Sequence, residues 1–246
     1  MYHRLASYYL VILFVTTSSI YVVVAALLRA VTGGFDRKLK ILHLFSCFWA
    51  SCYTWLNPLW SVVITGREHI DGRKACVMVS NHQSVVDILV IYRLFRHFKW
   101  VAKSSLFSIP FIGWNMRLNR YVRIERSSLK SQRKMIRQCE EHIRTGSSVM
   151  IFPEGTRSSD GQLRPFKEGA FHIALQQKAD IVPMVIDGSA KALPQKGLLP
   201  FNRQTVYLHV LPPVSCEKYG QMTAAELTGE IRRMMEEELT RMRNIL

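Results

Sequence analysis

Residues 5–28 run for 24 positions without a charged side chain, and nothing else in the chain narrows the possible folds as much. At about 1.5 Å per residue a helix of that length crosses a hydrocarbon core of about 30 Å. Inside lipid a helix is also the one local structure that satisfies its own backbone. A second uncharged stretch, 41–65, contains Asn57-Pro58. Proline removes a backbone donor and clashes with the preceding turn, so a helix there must kink or end and the stretch reads as interfacial. Between the two stretches lie Arg29, Arg37, Lys38 and Lys40 against Asp36 alone. That charge resists placement on the outer side of a bacterial-type membrane. Two geometries remain: a shallow pair of helices in the cytoplasmic leaflet, or a first helix that spans with a second on the inner surface. A cleaved signal peptide needs a shorter apolar region; two buried core helices are the other reading. Tyr8, Tyr9, Tyr21, Trp49, Tyr53, Trp55 and Trp60 fit an interfacial aromatic belt.

After Gly66 short β-like runs alternate with helical segments. This pattern predicts an α/β domain with a mostly parallel central sheet flanked by helices, preceded by an N-terminal two-helix membrane motif. The expected division is 1–65 for the membrane-associating helices and 66–246 for the α/β domain. Strands are predicted at 75–80, 100–102, 121–124, 148–152, 181–186 and 206–211. Helices are predicted at 84–95, 127–144 (opened by a serine cap), 166–176 and 224–243, the last as a docking helix.

The 33 basic residues against 18 acidic ones give a net charge of +15, which points to an anionic partner such as nucleic acid, a phospholipid surface or an acidic carrier protein. No helix-turn-helix, zinc-finger or RNP-like stretch is present, so nucleic acid is not expected. Five cysteines, odd in number and without a CxxC pair, indicate neither a disulfide framework nor a metal site and fit a reducing, cytosol-facing environment. Residues 93–137 carry twelve basic side chains against Glu125. With Trp100, Phe107, Pro110, Phe111 and Trp114 interleaved, they read as a face touching lipid headgroups, where each basic residue contributes about 1 kcal/mol.

Two motifs carry chemistry. Asn81-His82-Gln83-Ser84-Val85-Val86-Asp87 follows a predicted strand and opens a helix. At such a position side chains project from the sheet edge into a crevice. Histidine is suited to removing a proton near neutral pH, and a carboxylate on its other ring nitrogen fixes the tautomer. Phe152-Pro153-Glu154-Gly155-Thr156-Arg157-Ser158 also follows a strand. There Gly155 permits close backbone approach and Arg157 offers a planar fork of donors to a phosphate. Glu154 reads equally as a structural residue holding an arginine or a backbone N–H.

Together NHQSVVD and FPEGTRS resemble the first and third sequence blocks of the glycerolipid acyltransferase family, in particular bacterial 1-acyl-glycerol-3-phosphate acyltransferases. The resemblance extends through KSSLFSIPFIG (103–113), Ile124-Glu125-Arg126, PFKEGAF (165–171) and IVPM (181–184). It implies His82 as general base and Asp87 as the residue that orients it. It also implies phosphate contacts from Arg126, Glu154, Gly155, Thr156 and Arg157, with Lys103 as a further contact. The implied reaction takes an acyl group from acyl carrier protein or coenzyme A, with no other cofactor, to lysophosphatidate at the cytoplasmic face of the inner membrane. The resemblance also implies a two-helix membrane motif and an acyl tunnel within the α/β domain. Another lyso-lipid acceptor, or a non-catalytic lipid-binding protein on the same fold, are the alternatives. Arg120 departs from the pattern, standing where the family usually has a glycine six residues before its arginine.

Overall fold

The uncharged N-terminal stretch forms one helix, α1 (Tyr2–Thr32), whose residues 15–32 make it long and apolar enough to cross a membrane. The computed structural model describes residues 2–158, 160–194 and 203–245, with the side chains of residues 2–14 not described. Tyr8 and Tyr9 of the expected aromatic belt therefore lie outside it. Ile20, Val23, Val24, Leu27 and Val31 are exposed and recur at helical spacing, so they form one apolar stripe on α1. The stripe continues onto α2 (Lys40–Trp55) through Ile41, Leu44, Phe48 and Trp55.

The opposite faces pack together. Tyr21 stacks on Trp49 at 5.5 Å between ring centroids, and the Thr17 and Tyr53 hydroxyls lie 3.1 Å apart. Trp49 is buried, so it belongs to this contact and not to a lipid-facing belt. Asp36 starts α2: its carboxylate accepts the N–H groups of Lys40 (2.9 Å) and Ile41 (2.8 Å), two of the donors a helix start leaves unpaired.

The stretch 41–65 divides at Asn57-Pro58. Helix α2 stops before it, and β1 (Trp60–Thr65) follows, paired in parallel with β7 (Gln204–Val210). The sheet thus begins ahead of the expected boundary at residue 65. The remaining strands are β2 (Val77–Ser80), β3 (Phe98–Lys103), β4 (Val122–Ile124), β5 (Ser148–Ile151) and β6 (Ile181–Asp187). The order across the sheet is β1-β7-β6-β2-β5-β3-β4. Among the described residues every strand pairing is parallel except β6 with β7, so the sheet is mostly parallel, with β7 and β1 running against the other five. β2 and β5 are buried at every position, which is why they read as continuous apolar runs.

The further α-helices among the described residues are α3 (Val86–Tyr92), α4 (Ile112–Leu118), α5 (Leu129–Arg144), α6 (Gly169–Gln177), α7 (Ser189–Ala192), α8 (Cys216–Tyr219) and α9 (Ala224–Ile245). One core joins α2 and α3 to one face of the sheet; a second joins α5, α6 and α9 to the other. α9 docks through Leu227, Ile231, Met235 and Leu239, all buried. The cap of α5 is Ser128, whose Oγ accepts the Ser131 N–H, one residue later than expected.

The basic segment is less uniform than its composition implies. Lys99 is 2% exposed, with Nζ donating to the carbonyls of Lys38 and Asn119 at 2.9 Å each. Trp100 and Phe107 are core residues, whereas Ile109 and Trp114 are exposed.

Candidate active site

Because β2, β5, β3 and β4 are parallel neighbours, their C-terminal ends share one edge of the sheet. His82 lies two residues past β2, Phe152 directly past β5, Lys103 at the end of β3 and Arg126 two residues past β4. With strands about 4.8 Å apart, the β2 and β5 motifs adjoin. Lys103 and Arg126 stand about 10 and 14 Å along the edge from β2. Side chains at such an edge face the crevice in which open α/β sheets bind ligands.

The turn after β2 is built around Asp87, which is fully buried. Its Oδ2 accepts the backbone N–H groups of Gln83 at 2.6 Å and Ser84 at 2.9 Å, and lies 2.8 Å from His82 Nδ1. With two N–H groups already directed at that oxygen it serves as an acceptor, so Nδ1 is the donor and the imidazole lone pair sits on Nε2. Among the described residues Nε2 has no partner. The five-residue spacing works because the carboxylate, in the first turn of α3, reaches back over the turn that precedes its own helix.

The second motif closes on the same histidine at three points. The Phe152 ring stacks on the imidazole, with centroids 4.0 Å apart and planes 8° from parallel. Glu154 Oε1 accepts the His82 N–H at 2.8 Å. The Ser158 N–H donates to the His82 carbonyl at 2.7 Å. The other Glu154 oxygen accepts the Arg164 N–H at 3.1 Å, so both oxygens are engaged by backbone. Glu154 is 4% exposed, and burial, opposed by those two hydrogen bonds, pushes its carboxyl up to about 7.

Arg157, directly before Ser158, is half-buried and has no ion-pair partner among the described residues. Thr156 is exposed. Gly155 has φ +69°, and a Cβ there would meet Lys167 Cε at 3.1 Å. Arg126 is half-buried, its carbonyl accepting from Gln132 Nε2 at 2.8 Å, and burial draws its pKa down. Lys103 is exposed. The structure thus brings His82, Asp87, Glu154 and the backbone around Arg157 together, and sets Lys103 and Arg126 farther along the same edge.

Neither nearby serine has its hydroxyl free: Ser84 Oγ donates to the Leu193 carbonyl at 2.8 Å and Ser158 Oγ to Asp160 at 2.7 Å. Asn81 is 2% exposed. Its Nδ2 donates to the Ile186 carbonyl and its Oδ1 accepts the Ile186 N–H, both at 2.8 Å, locking the end of β2 to β6. Arg243 of α9 pairs with Asp187 at 2.9 Å and donates to the Gly161 carbonyl at 2.7 Å, tethering the loop beyond the second motif. A buried asparagine next to a motif histidine is a signal that sequence offers; the Arg243 tether, 82 residues from Gly161, has none.

Residues 61–187 match the family model described as Acyltransferase. A 1-acyl-sn-glycerol-3-phosphate acyltransferase of Chlamydomonas reinhardtii is 36% identical over 80% of this chain and 62% of its own length. The Saccharomyces cerevisiae protein of the same name is 32% identical over 94% of this chain and 75% of its own. The chain spans about half to three-fifths of the length of the first algal and plant relatives. In fold it matches the crystal structure of the 1-acyl-sn-glycerophosphate acyltransferase PlsC of Thermotoga maritima, with a TM-score of 0.76 at 24% identity over 98% of each chain.

Proposed function

Because the chain belongs to the acyltransferase family, we propose that it transfers a fatty acyl group from a thioester of acyl carrier protein or coenzyme A to the sn-2 hydroxyl of 1-acyl-glycerol-3-phosphate. The products are phosphatidate and the free thiol. The observation that carries this reading is the imidazole of His82, held through Nδ1 by Asp87 with Nε2 open, on the edge where Arg157 and Arg126 also stand.

In the reaction His82 Nε2 takes the acceptor's hydroxyl proton as its oxygen attacks the thioester carbonyl. The tetrahedral intermediate then collapses, the C–S bond breaks, and the departing sulfur receives the proton from the imidazolium. Asp87 stabilises that imidazolium without itself taking the proton. No acyl-enzyme forms, and the two engaged serine hydroxyls agree with this. Arg157 and Arg126 hold the acceptor phosphate with charge-assisted hydrogen bonds, Lys103 adds a point charge, and Gly155 and Thr156 shape the approach of the backbone. Glu154 acts as a positioning residue, since a carboxylate facing a phosphate would repel it. The apolar stripe on α1 and α2 supports operation at a membrane, and the basic residues between the two helices favour its cytoplasmic face.

His82→Ala tests the reading. With lysophosphatidate and both donor types, thiol release and mass spectrometry of the lipid product should show a loss of about 10²- to 10⁴-fold, with the melting temperature and membrane partition retained. A variant that keeps most of its activity removes His82 from the role.

A further inference from the structure

The groove between α1 and α4 holds about 480 Å³ and is lined by Val22, Ala26 and Arg29 from one side and by Trp114, Arg117, Leu118 and Arg120 from the other. Its apolar wall continues into the exposed stripe of α1. None of the three arginines has an ion-pair partner among the described residues. Asp36, the carboxylate that acts on the adjoining Lys99, spends both oxygens capping α2. The positive field is felt inside the protein: burial first, and then Arg120 and Arg29, bring the Lys99 ammonium down to about 7 against the pull of Asp36.

The backbone supplies an independent observation. Helix α4 ends with the Tyr121 N–H on the Met116 carbonyl and the Arg120 N–H on the Arg117 carbonyl, both at 3.0 Å. This pattern of bonds is the Schellman motif, and it places Arg120 at the position that must turn left-handed. Arg120 has φ +54°, a conformation that glycine adopts freely and a side chain with a Cβ adopts at a cost. An arginine held there, with two further unpaired arginines beside it, is strain and repulsion that a bound anion would offset. Arg120 and Arg126 flank opposite ends of β4, about 20 Å of extended chain apart. The groove is therefore separate from the catalytic edge.

We propose that this groove binds one anionic phospholipid of the surrounding bilayer, its phosphate on Arg29, Arg117 and Arg120 and an acyl chain along Val22, Ala26, Trp114 and Leu118. Charge complementarity requires the anion, and the apolar wall opening onto the α1 stripe requires the chain. A free phosphate would use only half of the site.

The full-length protein in mild detergent, exposed to phosphatidylglycerol, phosphatidylcholine or inorganic phosphate, tests this by native mass spectrometry. One phosphatidylglycerol should stay bound, phosphatidylcholine should not, and millimolar phosphate should not displace the lipid. Arg120→Gly should lower occupancy about fivefold while raising the Tm by about 2–4 °C, because glycine relieves the turn. No merely structural role for Arg120 gives that pair of results. R117Q/R120G should abolish retention, and R157A should leave it intact. Equal retention in R117Q/R120G, equal binding of phosphatidylcholine, displacement by phosphate, or loss in R157A would each overturn the proposal. So would a double variant that keeps its lipid and loses transfer only from acyl carrier protein, which would give the groove to that protein.

Discussion

Replacing Glu154 with glutamine separates two roles for this residue, a hand on the substrate phosphate and a brace for the catalytic turn. Both carboxylate oxygens accept backbone N–H groups, from His82 and Arg164. Glutamine keeps the volume and one acceptor but turns an NH₂ group towards the other N–H. One anchor is lost, and a displacement of the catalytic base of about 1 Å costs up to about 10²-fold in rate. Kinetics with lysophosphatidate as the varied substrate should therefore show kcat down about 10- to 100-fold with acceptor KM within about twofold. A tenfold rise in KM at unchanged kcat would refute the bracing role.

The same substitution makes a stability prediction of opposite sense. Burial raises the folded-state pKa of Glu154 from 4.5 to about 7, so between those values the folded protein binds the extra proton. The stability this contributes is complete below pH 4.5 and is lost as pH rises through about 7. Glutamine, neutral throughout, resembles the protonated acid at pH 5 and carries no buried charge at pH 8. E154Q should melt with the wild type at pH 5 and be more stable at pH 8, by about 1–2 kcal/mol once residual hydration of the turn is allowed for. Thermal melts at both pH values decide it. A variant less stable than wild type at pH 8 would mean that the two hydrogen bonds outweigh burial.

Arg157→Ala and Arg126→Ala should each raise acceptor KM about 10- to 100-fold, the equivalent of about 1.5–3 kcal/mol for a lost charge-assisted contact, read in the same assay. Asn81→Ala strands the buried N–H of Ile186, whose carbonyl keeps the Gln83 amide, and should cost about 1–3 kcal/mol in urea unfolding. Burial lowers the Lys99 pKa to about 7 in the folded state, so the unfolded chain binds more protons above that pH. Wild-type stability should rise with pH from about 7 towards 10 relative to Lys99→Met, as followed by melts across that range.

Much of the geometry at this edge of the sheet was legible because its signals are local. NHQSVVD and FPEGTRS each follow a strand buried on both faces, and parallel alternation of strands and helices forces their C-terminal ends to one side. β1 was not legible: residues 41–65 carry no formal charge to mark where a helix becomes a strand, and the parallel pairing of β1 with β7 spans some 140 residues. Lys99 read as surface because a charge run normally is solvated, whereas its alkyl chain lies in the interior and its ammonium is satisfied by two carbonyls. Trp100 and Phe107 were misassigned with it. Composition cannot say which side of a strand an aromatic residue occupies.

The carboxylates around His82 also decide where an oxyanion can be stabilised. The N–H groups of His82, Gln83 and Ser84 are three consecutive donors, an arrangement suited to an anion, but Glu154 takes the first and Asp87 the other two. None is available to a tetrahedral intermediate. On the opposing segment, the N–H of Gly155 is held by the Phe152 carbonyl and that of Ser158 by His82. The N–H groups of Thr156 and Arg157, just after the left-handed Gly155, have no acceptor among the described residues. Oxyanion stabilisation requires donors not already engaged, so in the proposed reaction it would fall to Thr156 and Arg157. The FPEGTRS loop would then carry both the phosphate contact and the electrophilic half of the chemistry, and the NHQSVVD turn would supply the base.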